Sequence, residues 1–467
     1  MISRLKTLLA VLQQSHYDTG LLGSWIRRHP KPADWDTFKD KIEVVWTLKA
    51  KILFISSITF SYCIPFVLVC NLKLMRPWEW LATKVFSFRA RRHLRKTKFR
   101  AIIGITGSFG KTTTKEIVAQ ILGEKFRMHK TPENVNTLLG IAGWINRTDF
   151  QDGDILIVEM GAYRKGDIAH AAAMVEPTIG ILTGLNEAHR ERFGSLEATA
   201  SAKSELIDAL PAGGIGLWNQ DSKLLQNAVE LRLEHWTKKG IQIIPYSRKG
   251  SENIQLSCES AGESGLLVRI GQDTDKTPAS QDNNIPTFSR MLECQMPFLG
   301  EHFCQELAAA ATIGTLLGMS QEEIAKRCES LRPLSRRLAP TLLPGNRLLI
   351  DDSYNITLDG VRAALEVLVS INRRKIGVFA GIPEGGKESK KINQELGQII
   401  GKAFDLILLR ETPVKDAVCQ GLRESKFPEA NIVSYTESKE VETILVKVTK
   451  DGDCIYFSAC DWPVIYL

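Results

Sequence analysis

No C-x-x-C pair occurs among the nine cysteines of this 467-residue chain. Cys63, Cys70, Cys258, Cys294, Cys304, Cys328, Cys419, Cys454 and Cys460 are scattered, so the spacing suggests neither a zinc cage nor a disulfide framework and fits a reducing compartment. Internal repeats and strongly low-complexity segments are also lacking, which argues against a repeat architecture. A cleaved signal peptide does not fit, because the one long apolar run starts too late and is too long. At 44% hydrophobic and 24% charged the composition is that of a globular protein, with room for two or three domains.

Acid is scarce at the start of the chain. Residues 1–100 hold 19 Lys+Arg against 6 Asp+Glu, a balance of +13, so the remainder carries −6 of the total +7. A nucleic-acid enzyme would more often place its positive charge on the catalytic part. Here the charge lies beside Ile52 to Cys70, nineteen residues without a charge. At about 1.5 Å per residue such a run covers about 28 Å, close to a bilayer core. It leads to Lys73, Arg76 and Lys84, then to Arg89, Arg91, Arg92, Arg95, Lys96, Lys98 and Arg100. The expectation is an N-terminal segment 1–51, a transmembrane helix over 52–72, and a basic juxtamembrane linker 73–100 against anionic lipid at the cytoplasmic face. The alternative is a buried core helix followed by a solvated basic linker.

The most informative stretch is Gly104-Ile105-Thr106-Gly107-Ser108-Phe109-Gly110-Lys111-Thr112-Thr113-Thr114. An apolar run leads into closely spaced glycines, a lysine and hydroxyls, and then a helical pattern. Such a turn lets backbone N–H groups wrap a phosphate at a helix N-terminus, with the lysine as a point charge and the next hydroxyl reaching a metal. Ile105 stands where the standard P-loop rule has its first glycine. The plainer alternative is a glycine-rich turn with a surface lysine. The order of strand, turn, lysine, hydroxyl and helix favours a nucleoside triphosphate site.

Beyond it, short apolar runs alternate with helical patterns, which predicts an α/β fold in two parts, 101–333 and 334–467. Strands are expected at Ala101–Thr106, Ile155–Glu159, Thr178–Thr183, Ile215–Asn219 and Ile241–Pro245, with a polar loop, Gln272 to Asn284, inside a hairpin region. The second part resembles a dinucleotide-binding (Rossmann-like) topology, yet no G-x-G-x-x-G follows its first strand. It therefore reads as a substrate-clamping domain.

Three further groups stand near strand or helix ends. Ile155-Leu156-Ile157-Val158-Glu159 ends in a carboxylate, where a P-loop enzyme holds magnesium together with the hydroxyl of Thr112. Thr183-Gly184-Leu185-Asn186-Glu187-Ala188-His189 exits a strand into a polar turn. Lys203 lies near a helix start, where a solvated surface lysine is the commonest outcome.

Together these pieces resemble the Mur ligase family, and within it the MurF type. The resemblance rests on GITGSFGKTTTKE (104–116), NVNT (134–137), EMGA (159–162), NEAHRERFGS (186–195), AKSEL (202–206) and DDSYN (351–355). It implies ATP over Gly107, Ser108, Gly110, Lys111, Thr112 and Thr113, with Arg337, Asp352 and Asn355 also near the nucleotide. It implies one magnesium ion on Thr112 and Glu159, and a second on His189 and a carbamate of Lys203. Asn134, Asn136 and Tyr354 would face substrate. The implied reaction activates a carboxylate of a cell-wall precursor as an acyl phosphate and captures it with the amine of D-Ala-D-Ala, with Lys111, His189 and Lys203 as catalytic groups. A related amide ligase acting on a lipid-linked or polyglutamate-type substrate, or an impaired nucleotide-binding homologue, remains open.

The chain departs from that pattern in places. Residues 1–100 show no counterpart of the domain that grips the UDP portion. Phe303 and Glu306 stand where the family usually has asparagines, Arg336 stands for a usual glycine, and Thr357-Leu358 replaces Asn-Pro.

Overall fold

The computed structural model describes residues 2–14, 25, 64–162, 164–185, 195–251, 254–271, 291–354, 356–383 and 388–458. Among the described residues, α1 (Ile2–Gln14) and α2 (Ile64–Leu94) precede the first strand. Ala82–Leu334 forms one compact unit, and Ser335–Leu467 belongs to a second.

The expected transmembrane helix over 52–72 finds no support. Residues 64–72 open α2, which continues through Lys73, Arg76, Glu79, Lys84 and Arg89 to Leu94. Among the described residues no helix is long and apolar enough to cross a membrane; residues 52–63 of the expected span lie outside them. The basic stretch 73–94 is helical where a linker was expected. Its last turns are held by packing, because Ala90 and Leu94 are buried in the core of the first unit.

The first unit is built on a six-stranded parallel sheet. Its strands are β1 (Ala101–Thr106), β2 (Met128–Lys130), β3 (Ile155–Glu159), β4 (Ile179–Leu182), β5 (Ile215–Asn219) and β6 (Gln242–Tyr246), in the order β2-β3-β1-β4-β5-β6. β1 and β3 are buried along their whole length, as expected for central parallel strands covered on both faces. The crossovers are α3 (Lys111–Leu122), α4 (Leu138–Ile145), α5 (Asp167–Val175), α6 (Leu196–Asp208) and α7 (Lys223–Lys238). One face of the sheet packs Ile102, Leu156, Val158 and Leu182 against Ala171 and Ala172 of α5 and Leu206 and Ile207 of α6.

A four-stranded antiparallel sheet follows, β7 (Gly250–Ser251), β8 (Ile254–Ser260), β9 (Leu266–Gly271) and β10 (Leu292–Met296), in the order β10-β9-β8-β7. The expected polar loop falls between β9 and β10 but lies outside the described residues. Helices α8 (Phe303–Leu316) and α9 (Gln321–Glu329) close the unit, and α8 packs on α3. Cys258 of β8 and Cys304 of α8 are joined in a disulfide. The sequence spacing carries no sign of this pair, which only the packing of α8 on the small sheet brings together.

The second unit is a six-stranded sheet in the order β11-β12-β16-β13-β14-β15. Its strands are β11 (Ala339–Leu343), β12 (Arg347–Asp351), β13 (Lys375–Phe379), β14 (Leu406–Arg410), β15 (Ile432–Tyr435) and β16 (Cys454–Phe457). Helices α10 (Leu358–Val369), α11 (Ser389–Ile400), α12 (Lys415–Glu424) and α13 (Ser438–Val448) connect them. Only β11 runs antiparallel, on the edge beside β12. The sheet core holds Ile376, Val378, Leu408 and Ile455.

The start of α9 is fixed by a capping box. Ser320 Oγ accepts from the Glu323 backbone at 3.2 Å, and the Glu323 carboxylate accepts from the Ser320 N–H at 2.7 Å. Ser320→Ala should lower stability by about 1 kcal/mol, read as a lower urea midpoint at unchanged slope.

Candidate active site

The parallel register sets the site. Ile105 of β1 lies opposite Glu159 of β3, and Thr106 opposite Leu182 of β4, so three strand ends open at one edge. Ligands of open α/β sheets bind outside such carboxyl ends. The loop 107–110 leaves β1 there, and Gly110 starts α3 with φ +74°, a left-handed turn that favours glycine. A Cβ at Gly107 would sit 2.0 Å from Thr183 Oγ1, so this position accepts no side chain. The loop is tied down by the Ser108 N–H on the Gly184 carbonyl at 2.8 Å and by the Thr183 hydroxyl on the Phe109 carbonyl.

The side chains of the loop fit a phosphate cradle. Lys111 Nζ donates to the carbonyls of Gly107 at 2.9 Å and Ser108 at 3.3 Å, folded over the loop that carries it. Ser108 Oγ is buried with no hydrogen-bond partner among the described residues, a donor suited to a ligand. Thr112 and Thr113 are buried on the first turn of α3.

Glu159 is the centre of a second cluster. Its Oε2 accepts from Thr112 Oγ1 at 3.0 Å and faces Lys115 Nζ at 3.2 Å, and its Oε1 accepts from Asn136 Nδ2 at 3.3 Å. Its backbone N–H donates to Thr131 Oγ1 at 3.0 Å. Asn136 is placed by its carbonyl, which accepts from the Gly161 N–H at 2.8 Å, so the NVNT and EMGA segments lock together. Asn134, two residues earlier, has φ +63°. Sequence reasoning missed Lys115 altogether. The available signal was a lysine three residues after Thr112, on the inner face of a helix whose neighbours are threonine, isoleucine and alanine.

Lys203 is not the solvated lysine its type suggests. It is 2% exposed on α6, and burial, aided by the charge of Lys111, pushes its pKa down to about 7. Asp167 and Glu205 oppose that shift. Glu205 is itself engaged, accepting from the N–H groups of Gly166 at 2.7 Å and Ala169 at 3.1 Å at the start of α5. His189 lies outside the described residues; Lys111, Thr112, Glu159, Asn136 and Lys203 belong to one unit.

Arg337, Asp352 and Tyr354 belong to the second unit, and Asn355 lies outside the described residues. The Arg337 guanidinium stacks 3.9 Å from the Tyr354 ring centre. Burial pushes the Asp352 carboxyl up to about 6, against hydrogen bonds from Tyr456 OH at 2.8 Å and the Leu338 N–H at 3.3 Å.

A parallel sheet whose first strand ends in a phosphate-type loop, beside a strand-end carboxylate, defines a P-loop α/β protein. Residues 105–314 match the Mur ligase middle domain. The chain thus carries a Mur ligase middle domain and is similar to ligases of the MurF type. It is 27% identical over 360 residues to a UDP-N-acetylmuramoyl-tripeptide–D-alanyl-D-alanine ligase of Bacillus subtilis, covering 77% of this chain and 72% of that protein. The ligase of the same name from Escherichia coli is 28% identical over 64% of this chain and 61% of its own length. The Mycobacterium leprae protein of that name is 31% identical over 64% and 58%. Among solved structures, MurF from Thermotoga maritima in complex with ADP has TM-score 0.66 and 23% identity, covering 82% of this chain and 81% of that one. This likeness extends the shared fold across both units.

Because the Asp352 carboxyl titrates higher in the folded state than its usual 3.8, the folded state binds the extra proton between those values. Stability should therefore fall as pH rises from about 4 to about 6. In Asp352→Asn that decline should disappear, measured as the thermal midpoint against pH.

Proposed function

We propose that this chain is an ATP-dependent amide ligase of peptidoglycan precursor synthesis, joining D-alanyl-D-alanine to a muramoyl-tripeptide, the reaction in the names of its curated relatives. The observation that carries the reading is the meeting of a phosphate cradle, the Thr112–Glu159 oxygen pair and a buried lysine poised near neutrality. ATP lies over residues 107–113, where backbone N–H groups and Lys111 take the phosphates. Lys111 then exchanges the Gly107 and Ser108 carbonyls for phosphate oxygens. The precursor carboxylate attacks the γ-phosphate to give an acyl phosphate and ADP. The dipeptide amine then attacks the acyl carbon, expels phosphate and loses a proton as the amide forms.

The oxygen donors fit magnesium. Among the described residues no group of three His, Cys, Asp or Glu is placed to hold a metal. Magnesium rarely needs one, since it is held by one or two carboxylates together with substrate phosphates and water. Thr112 and Glu159 would hold one ion, and His189 with Lys203 a second; bound there, the ions offset charge on the phosphates. For that role the Lys203 amine adds to carbon dioxide, forming a carbamate and releasing a proton. Only the free amine reacts, and a pKa near 7 makes it available at neutral pH. In the second unit, Arg337, Asp352, Tyr354 and Asn355 would attend the nucleotide and the amine substrate, and Asn134 would join Asn136 on the precursor side.

Phosphate release in the presence of ATP and magnesium should require both UDP-N-acetylmuramoyl-tripeptide and D-Ala-D-Ala. Release that needs neither marks a plain ATPase, and no release with any mixture ends the proposal. Turnover should rise with pH through about 7. Lys203→Ala should lose at least about 100-fold in rate and recover in part with a short-chain carboxylic acid. Full activity in Lys203→Ala removes the carbamate.

A membrane-surface location has its own support in α2. Opposite its buried Ala90 and Leu94, the helix exposes Val85 and Phe88, the latter 67% exposed, among Lys84, Arg89 and Arg92. Bulky apolar residues interleaved with cations suit an anionic lipid surface on the cytoplasmic side. The protein should pellet with phosphatidylglycerol vesicles and not with phosphatidylcholine vesicles, and Phe88→Glu should release it. Equal recovery in the supernatant with both lipids overturns this placement.

A further inference from the structure

A lysine is almost never fully buried unless it is paired, and Lys115 is 0% exposed. It lies one turn beyond Thr112 on the same face of α3. Its ammonium has no hydrogen-bond acceptor among the described residues, so it is held by charge. Two carboxylates are within reach, Glu159 Oε2 at 3.2 Å and Glu116 Oε1 at 3.8 Å. Glu116 already pairs with Lys130 and is partly exposed, whereas Glu159 is 3% exposed and has no second cation among the described residues. Glu159 is therefore the main partner. The oxygen that Lys115 faces is also the one that takes the Thr112 hydroxyl at 3.0 Å, while Asn136 holds the other.

We propose that Lys115 is a positioning residue for Glu159: it fixes the carboxylate at the mouth of the phosphate loop, takes up its charge, and competes with the arriving cation for Oε2. The identity of that cation rests on the ligase reading above. A buried carboxylate next to a phosphate site is costly when no cation is present, and a fixed positive charge at 3.2 Å offsets that cost. The same charge weakens the hold of the carboxylate on a dication. Lys115 thus makes the empty site stable and the loaded site exchangeable, where Thr112 and Glu159 alone would give tight binding in an unstable fold.

The test uses the full chain with Mn2+ as the probe and a non-hydrolysable ATP analogue, followed by electron paramagnetic resonance. Lys115→Met should bind Mn2+ about ten-fold more tightly than wild type, and Lys115→Arg, which keeps the charge, should stay within about three-fold of it. Equal or weaker binding by Lys115→Met overturns the proposal. Wild type that binds no Mn2+ with the nucleotide removes the ligase reading instead, and with it the part of the cation here. Thermal midpoints without metal cover the case where Lys115→Met folds poorly. The double variant Lys115→Met, Glu159→Gln should melt above either single variant, because it leaves no buried charge alone. Additive losses in that cycle would show that the two side chains do not act on each other.

Discussion

The parallel pairing of β1 with β3 governs the chemistry of this protein. It puts Glu159 level with Ile105, the last buried residue but one before the glycine loop, and so within hydrogen-bond range of Thr112 once α3 has turned back over the sheet. A one-residue slip would send the Glu159 side chain to the other face and separate it from both Thr112 and Lys115. The register is protected by burial, since Ile155 to Val158 and Ala101 to Ile105 are enclosed on both faces. The Thr106 hydroxyl adds a bond to the Met160 carbonyl at 2.9 Å, which closes the strand ends together.

The parts of the site that depend on local order were legible in the sequence. Strand, glycine turn, lysine and hydroxyl are contiguous, and β3 announces itself as four apolar residues before a carboxylate. The parts that depend on packing were not. Lys115 reads as an ordinary helix lysine until α3 is laid against β3. Lys203 by residue type alone reads as a solvated lysine; the family resemblance marks it as functional, but its burial on α6 shows only in the fold. Helices α4 and α5 escaped notice because they are short, at eight and nine residues, and α4 carries two glycines, which weaken a helical pattern. Strand β11 escaped because Pro340 and the exposed Leu342 break the usual pattern of a core strand. The Cys258–Cys304 pair links segments 46 residues apart, a separation at which spacing says nothing.

The departures from the family pattern have physical content in this fold. Glu306 sits on the first turn of α8 with Oε1 3.1 Å from where a Cβ at Gly110 would be, so a carboxylate borders the phosphate loop where the family usually has an amide. Its neighbour Gln305 accepts from Asn219, whose Nδ2 also donates to the Thr183 carbonyl. Thr183 in turn holds Phe109. A change on α8 is therefore coupled to loop geometry through Asn219 and Thr183, as well as through charge.

The start of the second unit shows the same trade of local strain for a fixed site. Arg336 and Leu338 have φ of +63° and +47°, a region that costs a non-glycine residue of order 1–3 kcal/mol. Where a glycine would turn freely, Arg336 is held by Ser353, through its side-chain oxygen at 3.0 Å and its carbonyl at 2.7 Å. The backbone of Leu338 is held by Asp352. Both anchors belong to the DDSYN segment, and Arg337 between them lies on Tyr354 of the same segment. The arginine that replaces glycine thus brings its own compensation. Its two hydrogen bonds tie the strained turn to the residues that resemble a nucleotide and substrate site, and so hold a backbone conformation that a glycine would adopt without strain.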